Sequence, residues 1–173
     1  TPASQVASID EMFLDFSGCE SLYYAPGDTG PDFTIERVVR RLTDEIEERV
    51  GLPSSAGIAT SRSVAKVASG LAKPRGVLMV AAGTESGFLG PLPVRKFPGI
   101  GPVAEEKLLA LGLKTLADVS TAPLPALKEI FGNWAESLQR GLRGHGPHEL
   151  GRERYGRPGA LHPFAGADLI DKG

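Results

Sequence analysis

Hydrophobic and polar residues alternate over VASIDEMFLDF, residues 6–16, with Met12 and Leu14 on one side of the chain. This period of two predicts a half-buried β-strand. Asp10 and Glu11 interrupt the alternation. We therefore expect them at a bend between two short strands, where their side chains point out of the sheet toward one spot.

The pattern then changes to apolar residues spaced three and four apart, from Ile35 to Val50, which is typical of a long amphipathic helix. Gly51 is expected to end this helix. Two short apolar runs, 54–60 and 77–81, predict buried strands, and the segment between them predicts a helix capped by Ser61. Strands alternating with helices in this way indicate a layered fold with a mixed β-sheet and two helices.

After Gly83 the strand signal disappears, and short helical segments separated by Gly or Pro continue to about residue 144. A second, all-helical unit is therefore expected, so that the whole chain belongs to the α+β class. Residues 144–173 are rich in Gly, Pro and Arg, as in a linker or an element that this chain begins. The predicted helical segments are 93–97, 103–111, 115–120, 124–131 and 134–142.

Composition excludes several classes of protein. In 173 residues, 41% are hydrophobic, which is enough for packed cores and excludes a disordered chain. Neither a signal peptide nor an apolar run of about 20 residues is visible, so we expect a cytoplasmic protein without a membrane segment. One cysteine, Cys19, excludes an internal disulfide and a cysteine-based zinc site. The chain starts at Thr1 rather than at Met, and we expect it to be a piece of a longer polypeptide.

Charge is distributed unevenly along the chain. Residues 1–91 carry 8 basic and 12 acidic side chains, a net charge of −4, whereas residues 92–158 carry 10 and 7, a net charge of +3. The overall charge of −2 gives no reason to expect nucleic acid as a partner, but the second segment does fit contact with phosphates.

Asp10 and Glu11 are the strongest candidates for chemistry, with Asp15 as a further one. Adjacent carboxylates repel each other, so two of them at one bend cost stability unless a cation or a basic partner neutralises them. Mg²⁺ is a suitable cation, because it prefers a few carboxylate oxygens together with water and phosphate oxygens. A solvated turn is the alternative for an isolated pair of this kind.

Lys73 lies in LAKPRG, residues 71–76, at the predicted end of a helix. Pro74 limits it to extended geometry and Gly76 provides a tight turn, so its ammonium is held where it can meet phosphate oxygens. The alternative is a lysine placed in the last helical turn only by the helix dipole.

PGIGPVAEEKLLALG, residues 98–112, combines a glycine-rich turn with a hydrophobic helix. Gly99 and Gly101 allow a sharp turn, after which the backbone N–H groups at the start of the helix face outward as an anion site. This resembles a helix-hairpin-helix, which grips a DNA phosphate without reading bases. A corner with purely structural glycines is the alternative.

Three stretches of the chain resemble successive signatures of the Y-family translesion DNA polymerases, nearest the DinB or polymerase IV branch. In order along the chain they are SIDEMFLDFSG (8–18), GIATSRSVAKVASGLAKPRG (57–76) and PVRKFPGIGPVAEEKLLALGLKTLADV (93–119). The resemblance implies the C-terminal part of a palm over residues 1–81 and a thumb with a helix-hairpin-helix over 82–148. Residues 149–173 would be a linker and the start of a little finger.

The resemblance also implies roles for individual residues. Asp10 would ligate both of two Mg²⁺ ions and Glu11 the ion that activates the primer 3′-hydroxyl, for attack on the α-phosphate of a deoxynucleotide with loss of pyrophosphate. Lys73 would contact the triphosphate. The partners would be primer–template DNA and deoxynucleoside triphosphates, and a sliding clamp would be contacted through regions outside this chain. The backbone of Gly99, Ile100 and Gly101 would bind a primer-side phosphate, with Lys107 nearby.

Two features of the Y-family polymerases do not occur in this chain. They are the first metal-binding aspartate and the steric-gate aromatic residue. We therefore expect that the 173-residue chain alone does not extend a primer. Two alternatives are a non-catalytic adaptor of the same family and an unrelated helix-hairpin-helix DNA-binding protein. Adjacent Asp10 and Glu11 favour the enzyme, because retaining both is costly without a cation.

Overall fold

The computed structural model describes residues 3–145 of the chain. The predicted linker and little-finger start, residues 149–173, lie outside the described residues. Within residues 3–145 no helix is long and apolar enough to cross a bilayer.

A β-hairpin opens the described chain. Strands β1 (Ala3–Val6) and β2 (Met12–Asp15) pair antiparallel, with Val6 opposite Met12. The backbone amides of residues 7 and 8 donate to the carbonyl oxygen of Glu11, at 2.9 and 3.2 Å, and close the turn. The predicted bend at Asp10 and Glu11 is therefore confirmed, although the first strand ends at Val6 rather than starting there.

Helix α1 (Pro31–Val50) and a parallel βαβ unit follow the hairpin. Gly51 ends α1 in the left-handed conformation with φ = 72°, as predicted. Strands β3 (Ala56–Ile58) and β4 (Val77–Met79) pair in parallel and are connected by helix α2 (Arg62–Ala72). The α+β class is thus confirmed.

The predicted single mixed sheet is wrong for the described residues. Hydrogen bonding forms two separate two-stranded sheets there, β1 with β2 and β3 with β4. Ser61 occupies the N-cap position of α2, as predicted. Its hydroxyl makes no capping hydrogen bond, however, so the predicted capping interaction is absent. The Ser61 side chain is instead buried, and the hydrogen-bonding preference of serine for caps is overridden by packing.

Gly57 determines how closely α2 lies on β3. A Cβ atom at this position would lie 1.9 Å from the carbonyl oxygen of Ala65 and 2.5 Å from the amide nitrogen of Ser69. Only glycine permits this approach of a helix backbone to a strand. The contact fixes which side chains of α2 face the hairpin and which face the rest of the molecule.

Short helices make up the rest of the described chain, and all five predicted segments contain helix. Segment 93–97 is a 3₁₀ turn, Val94–Lys96, and segment 115–120 begins with Thr115 as an N-cap whose side chain forms a capping box with Asp118. The helices are α3 (Glu85–Leu89), α4 (Pro102–Ala110), α5 (Leu116–Thr121), α6 (Leu124–Phe131) and α7 (Trp134–Leu142).

One hydrophobic core joins these helices to α2. Val64, Val67 and Ala68 of α2 belong to the same buried cluster as Leu108 of α4 and Leu138 of α7. A smaller cluster packs α1 against β3. The cluster around α2 therefore crosses the predicted boundary between residues 81 and 82, and the division into palm and thumb stays a prediction.

A network around Asp28 fixes the loop that precedes α1. The carboxylate accepts hydrogen bonds from the guanidinium of Arg37 at 2.8 and 3.0 Å, from the hydroxyl of Thr34 at 2.9 Å and from the amide of Ala25 at 2.9 Å. The Arg37 guanidinium holds the pKa of the Asp28 carboxyl well below its ordinary value. Asp28 thus stays ionised in the folded protein and ties the loop to the helix.

We expect this network to make the fold sensitive to acid. A carboxyl whose pKa is depressed by folding stabilises the fold above its unfolded pKa of about 3.9, and the contribution fades as pH falls through the folded value. Asp28→Asn should lower the melting temperature at pH 7. On acidification from pH 7 to about pH 3, the melting temperature of this variant should fall less than that of the unsubstituted chain. Calorimetry at the two pH values measures both effects.

The matched control for this measurement is Asp44→Asn, at an exposed position of α1. It should leave the melting temperature at pH 7 nearly unchanged. Equal acid sensitivity in Asp28→Asn and the unsubstituted chain would show that Asp28 does not carry this stabilisation.

Candidate catalytic and nucleic-acid-binding site

Asp10 and Glu11 lie side by side in the hairpin turn, as the sequence predicts. Both are partly buried, and the neighbouring Ile9 is fully exposed. The hydroxyl of Ser8 donates to Oδ1 of Asp10 at 2.7 Å. The turn therefore presents two carboxylates at the surface of the hairpin.

Glu11 is engaged by a lysine that the sequence reasoning missed. Nζ of Lys66, on α2, lies 2.8 Å from both Oε1 and Oε2 of Glu11. Of the two predicted ways to neutralise the pair, a cation or a basic partner, the structure supplies a basic partner for Glu11. Little in the sequence signals this pair, because Lys66 and Glu11 are 55 residues apart.

The chemistry of this pair fits a divalent cation, but the number of ligands is small. No cluster of three or more His, Cys, Asp or Glu side chains that could hold a metal ion occurs among residues 3–145. Two carboxylates are suitable ligands for a hard cation that takes its other ligands from water and phosphate. The described residues thus fit part of a metal site.

Asp15, the further carboxylate candidate, has a different environment. Its Oδ1 accepts a hydrogen bond from the amide of Ser17 at 2.9 Å, which shapes the end of β2. Asp15 lines a cavity on this side of the hairpin. Nothing in the described structure brings it together with Asp10 and Glu11.

Lys73 lies at the C-terminal end of α2, as predicted. Its backbone is extended, with ψ = 150°, and the Lys73–Pro74 peptide bond is cis. The side chain is exposed. Pro74 therefore ends α2 with the lysine on the surface, two turns beyond the Lys66 that holds Glu11.

The glycine-rich turn lies between the 3₁₀ turn Val94–Lys96 and α4. Gly99 adopts φ = 93°, a left-handed conformation in which a side chain would be strained. Ile100 is only 6% exposed and anchors the turn in the hydrophobic core. Gly101 is the exposed N-cap of α4, and a Cβ atom there would meet nothing within 4 Å.

This geometry turns the start of α4 toward solvent. The first backbone N–H groups of a helix lack intrahelical partners and carry partial positive charge. Lys107 is exposed in the last turn of α4, about 9 Å along the helix axis from Gly101. The turn and Lys107 thus give α4 two separate positively polarised positions.

A cavity of about 270 Å³ separates β2 from β3. Arg62 at the start of α2 lines it and places its guanidinium 4.0 Å from the ring centre of Phe13. Its Nε and Nη2 atoms are buried without a hydrogen-bond partner in the described part of the chain, and burial lowers the pKa of Arg62. The sequence offered no signal for this stack, because 49 positions separate the two residues in a 173-residue chain.

Comparisons with known proteins agree with this arrangement. The impB/mucB/samB family model matches residues 1–70, and the IMS family HHH motif matches residues 84–113. DNA polymerase IV of Shewanella amazonensis is 42% identical over 142 residues, covering 82% of this chain and 37% of the relative. DNA polymerase IV of Opitutus terrae is 37% identical over 145 residues, covering 83% and 35%.

Solved structures give the same result. DinB from Sulfolobus solfataricus matches with a TM-score of 0.70 and 26% identity, over 84% of this chain and 41% of that one. An insertion ternary complex of Dbh DNA polymerase matches with a TM-score of 0.72 and 27% identity, over 85% and 40%. The chain thus spans about two fifths of these structures and little more than a third of the curated relatives. It belongs to the DinB-like branch of the Y-family DNA polymerases.

Proposed function

We propose that this chain forms the palm and thumb portion of a DNA polymerase that copies past damaged template bases. The observation that carries the proposal is the Asp10–Glu11 pair on the hairpin turn. Helix α2 lies beside the pair, with Lys66 on the helix and Lys73 at its C-terminal end, and a helix-hairpin-helix turn follows along the chain. The proposal is supported by the two DNA polymerase IV relatives, which match 82% and 83% of this chain, and by the DinB structure, which matches 84% of it.

Asp10 and Glu11 would hold divalent ions. The ion would be Mg²⁺, because it prefers carboxylate oxygens as ligands, and the complete enzyme would hold two such ions. Bound ions of this kind neutralise charge on the attacking and leaving oxygens of phosphoryl transfer. The hairpin turn supports this role because it holds both carboxylates at one surface. Further ligands would come from residues outside this chain.

Lys73 would bind the incoming deoxynucleoside triphosphate. Its exposed position at the end of α2 supports this role, since an ammonium at the surface can be reached by phosphate oxygens. α2 would thus serve the site twice, with Lys66 directed to Glu11 and Lys73 to the nucleotide.

Primer–template DNA would be held by the thumb, through phosphate contacts. The backbone of Gly99, Ile100 and Gly101 would bind one primer-side phosphate at the start of α4. Lys107 would meet a neighbouring phosphate, because about 9 Å separates it from the turn along the helix. Contacts of this kind are independent of sequence and sensitive to salt.

The remaining assignments are also proposals. The palm would comprise residues 1–81, the thumb 82–148, and the linker with the start of the little finger 149–173. A sliding clamp would bind through regions outside this chain, and the protein would work in the cytoplasm.

A non-catalytic adaptor is the second candidate, and one observation favours it. Lys66 already neutralises Glu11 at 2.8 Å, so the carboxylate pair is compatible with a protein that binds no metal. An adaptor would keep the DNA contacts of the thumb and lack nucleotidyl transfer.

A chimeric enzyme tests the catalytic proposal. The matching stretch of 142 residues in Shewanella amazonensis DNA polymerase IV is replaced by that of this chain. We expect the chimera to extend a primer with Mg²⁺, and its Asp10→Asn and Glu11→Gln variants to lose at least about a hundredfold in rate, as expected for loss of charge stabilisation in the transition state. Single-turnover extension on a duplex with a template overhang measures the rate.

The isolated 173-residue chain is assayed in parallel and should not extend the primer. A folded chimera that binds DNA but does not extend it would support the adaptor. Extension by the isolated chain would contradict the expectation that it is catalytically incomplete.

A charge placed at Gly101 tests the DNA contact of the thumb. Gly101→Asp has space for its Cβ atom and suits an N-cap, so the fold should remain as stable or become slightly more stable. The carboxylate would repel the phosphate, and we expect at least a tenfold loss of affinity for duplex DNA at low salt, about 1.4 kcal/mol. Fluorescence anisotropy with the 173-residue chain measures the affinity.

Gly101→Ser is the matched control, because it is also a good N-cap but carries no charge. It should bind DNA nearly as well as the unsubstituted chain. Equal affinities of the Asp and Ser variants would exclude a phosphate at this turn.

A further inference from the structure

Lys66 and Glu11 are 55 residues apart in sequence and connect two different elements of the fold. The ammonium on α2 reaches both carboxylate oxygens of Glu11 in the hairpin turn at 2.8 Å. The two side chains are 26% and 25% exposed. This is a partly buried, two-oxygen ion pair rather than a solvated surface contact.

The backbone on the Lys66 side of this pair is held in place. Residues 67–69 of α2 are buried, and α2 lies on Gly57 with no room for a Cβ atom. The hydroxyl of Ser69 donates to the carbonyl oxygen of Lys66 at 3.0 Å. The start of the lysine side chain therefore has a fixed position relative to the strand beneath it.

A divalent ion at this turn would compete with Lys66 for the same oxygens. Both oxygens of Glu11 accept hydrogen bonds from the ammonium, so an ion that ligates either oxygen lies close to the positive charge of Lys66. The ammonium also repels any cation at the turn, with an energy that is appreciable at distances of about 4 Å. Asp10 differs, because its Oδ1 accepts a hydrogen bond from the neutral hydroxyl of Ser8.

We propose that Lys66 is a positioning residue that neutralises Glu11 in the metal-free protein and competes with the divalent ion for it. Asp10 then provides the first ligand to an arriving ion, and Glu11 joins after Lys66 is displaced. The inference rests on the proposed function, since it takes Asp10 and Glu11 as metal ligands. Its consequence is a site that holds Glu11 in a defined place before the ion arrives, at the expense of affinity for the free ion.

Paramagnetic broadening by Mn²⁺ tests the inference on the 173-residue chain without any assay of activity. Mn²⁺ broadens the amide signals of residues close to the ion, and the concentration that halves the signals of residues 8–12 measures local binding. Lys66→Met removes the charge and keeps the length of the side chain. We expect its midpoint concentration to be at least fivefold lower than that of the unsubstituted chain.

Three variants serve as controls. Lys66→Arg keeps the charge and should stay within about twofold of the unsubstituted midpoint. Lys128→Met removes the lysine of another ion pair, with Glu136 at 2.6 Å in the thumb, and should leave the midpoint unchanged. Glu11→Gln should raise the midpoint. Lys66→Gln repeats the test if the Met variant does not give a dispersed spectrum.

The outcomes separate this inference from the proposed function. The inference is overturned if the midpoint of Lys66→Met equals or exceeds that of the unsubstituted chain while Glu11→Gln binds Mn²⁺ more weakly. In that case Asp10 and Glu11 still form the metal site. Absence of local broadening in all variants overturns the inference alone, because the proposed function takes further metal ligands from residues outside this chain and is decided by primer extension in the chimera. The inference is supported if the midpoint falls in Lys66→Met and Lys66→Gln and stays unchanged in Lys66→Arg.

Discussion

The close contact between α2 and β3 at Gly57 is the constraint on which the rest of the structure depends. Because a helix backbone lies directly on the strand, the rotation of α2 about its axis is fixed. One face of the helix then carries Val64, Val67 and Ala68 into the core that it shares with helices α4, α6 and α7. Another face carries Lys66 to the carboxylate of Glu11. A single steric relation between a glycine and a helix thus sets both the packing of the molecule and the electrostatics of its site.

Local features of the chain could be predicted from the sequence because they depend on neighbouring residues. The spacing of apolar residues predicted α1, and Gly51 ends it as expected; α6 and α7 have the predicted bounds. The interruption of an alternating pattern by two carboxylates predicted the turn of the hairpin. The glycine turn before α4 was predicted for the same reason, since its conformation is a property of the residues that form it.

Features that depend on contacts between distant segments could not be predicted in this way. The period of a strand tells which residues share a face, but not which strand lies beside it, so two separate sheets were taken for one. Lys66 and Arg62 looked like ordinary charges of an amphipathic helix, and their contacts with Glu11 and Phe13 follow only from the packing of α2. Ser61 had the right residue type for a cap, yet its burial beside the cavity decides its role.

The two separate sheets have a consequence for the behaviour of the chain in solution. Within residues 3–145, β2 pairs only with β1 and β3 only with β4, so each has one edge without a strand partner, and residues of both strands line the cavity. Unpaired strand edges are templates for pairing with other polypeptides. These edges are therefore where we expect the chain to pair with a second copy as its concentration rises, and dilution favours the monomer.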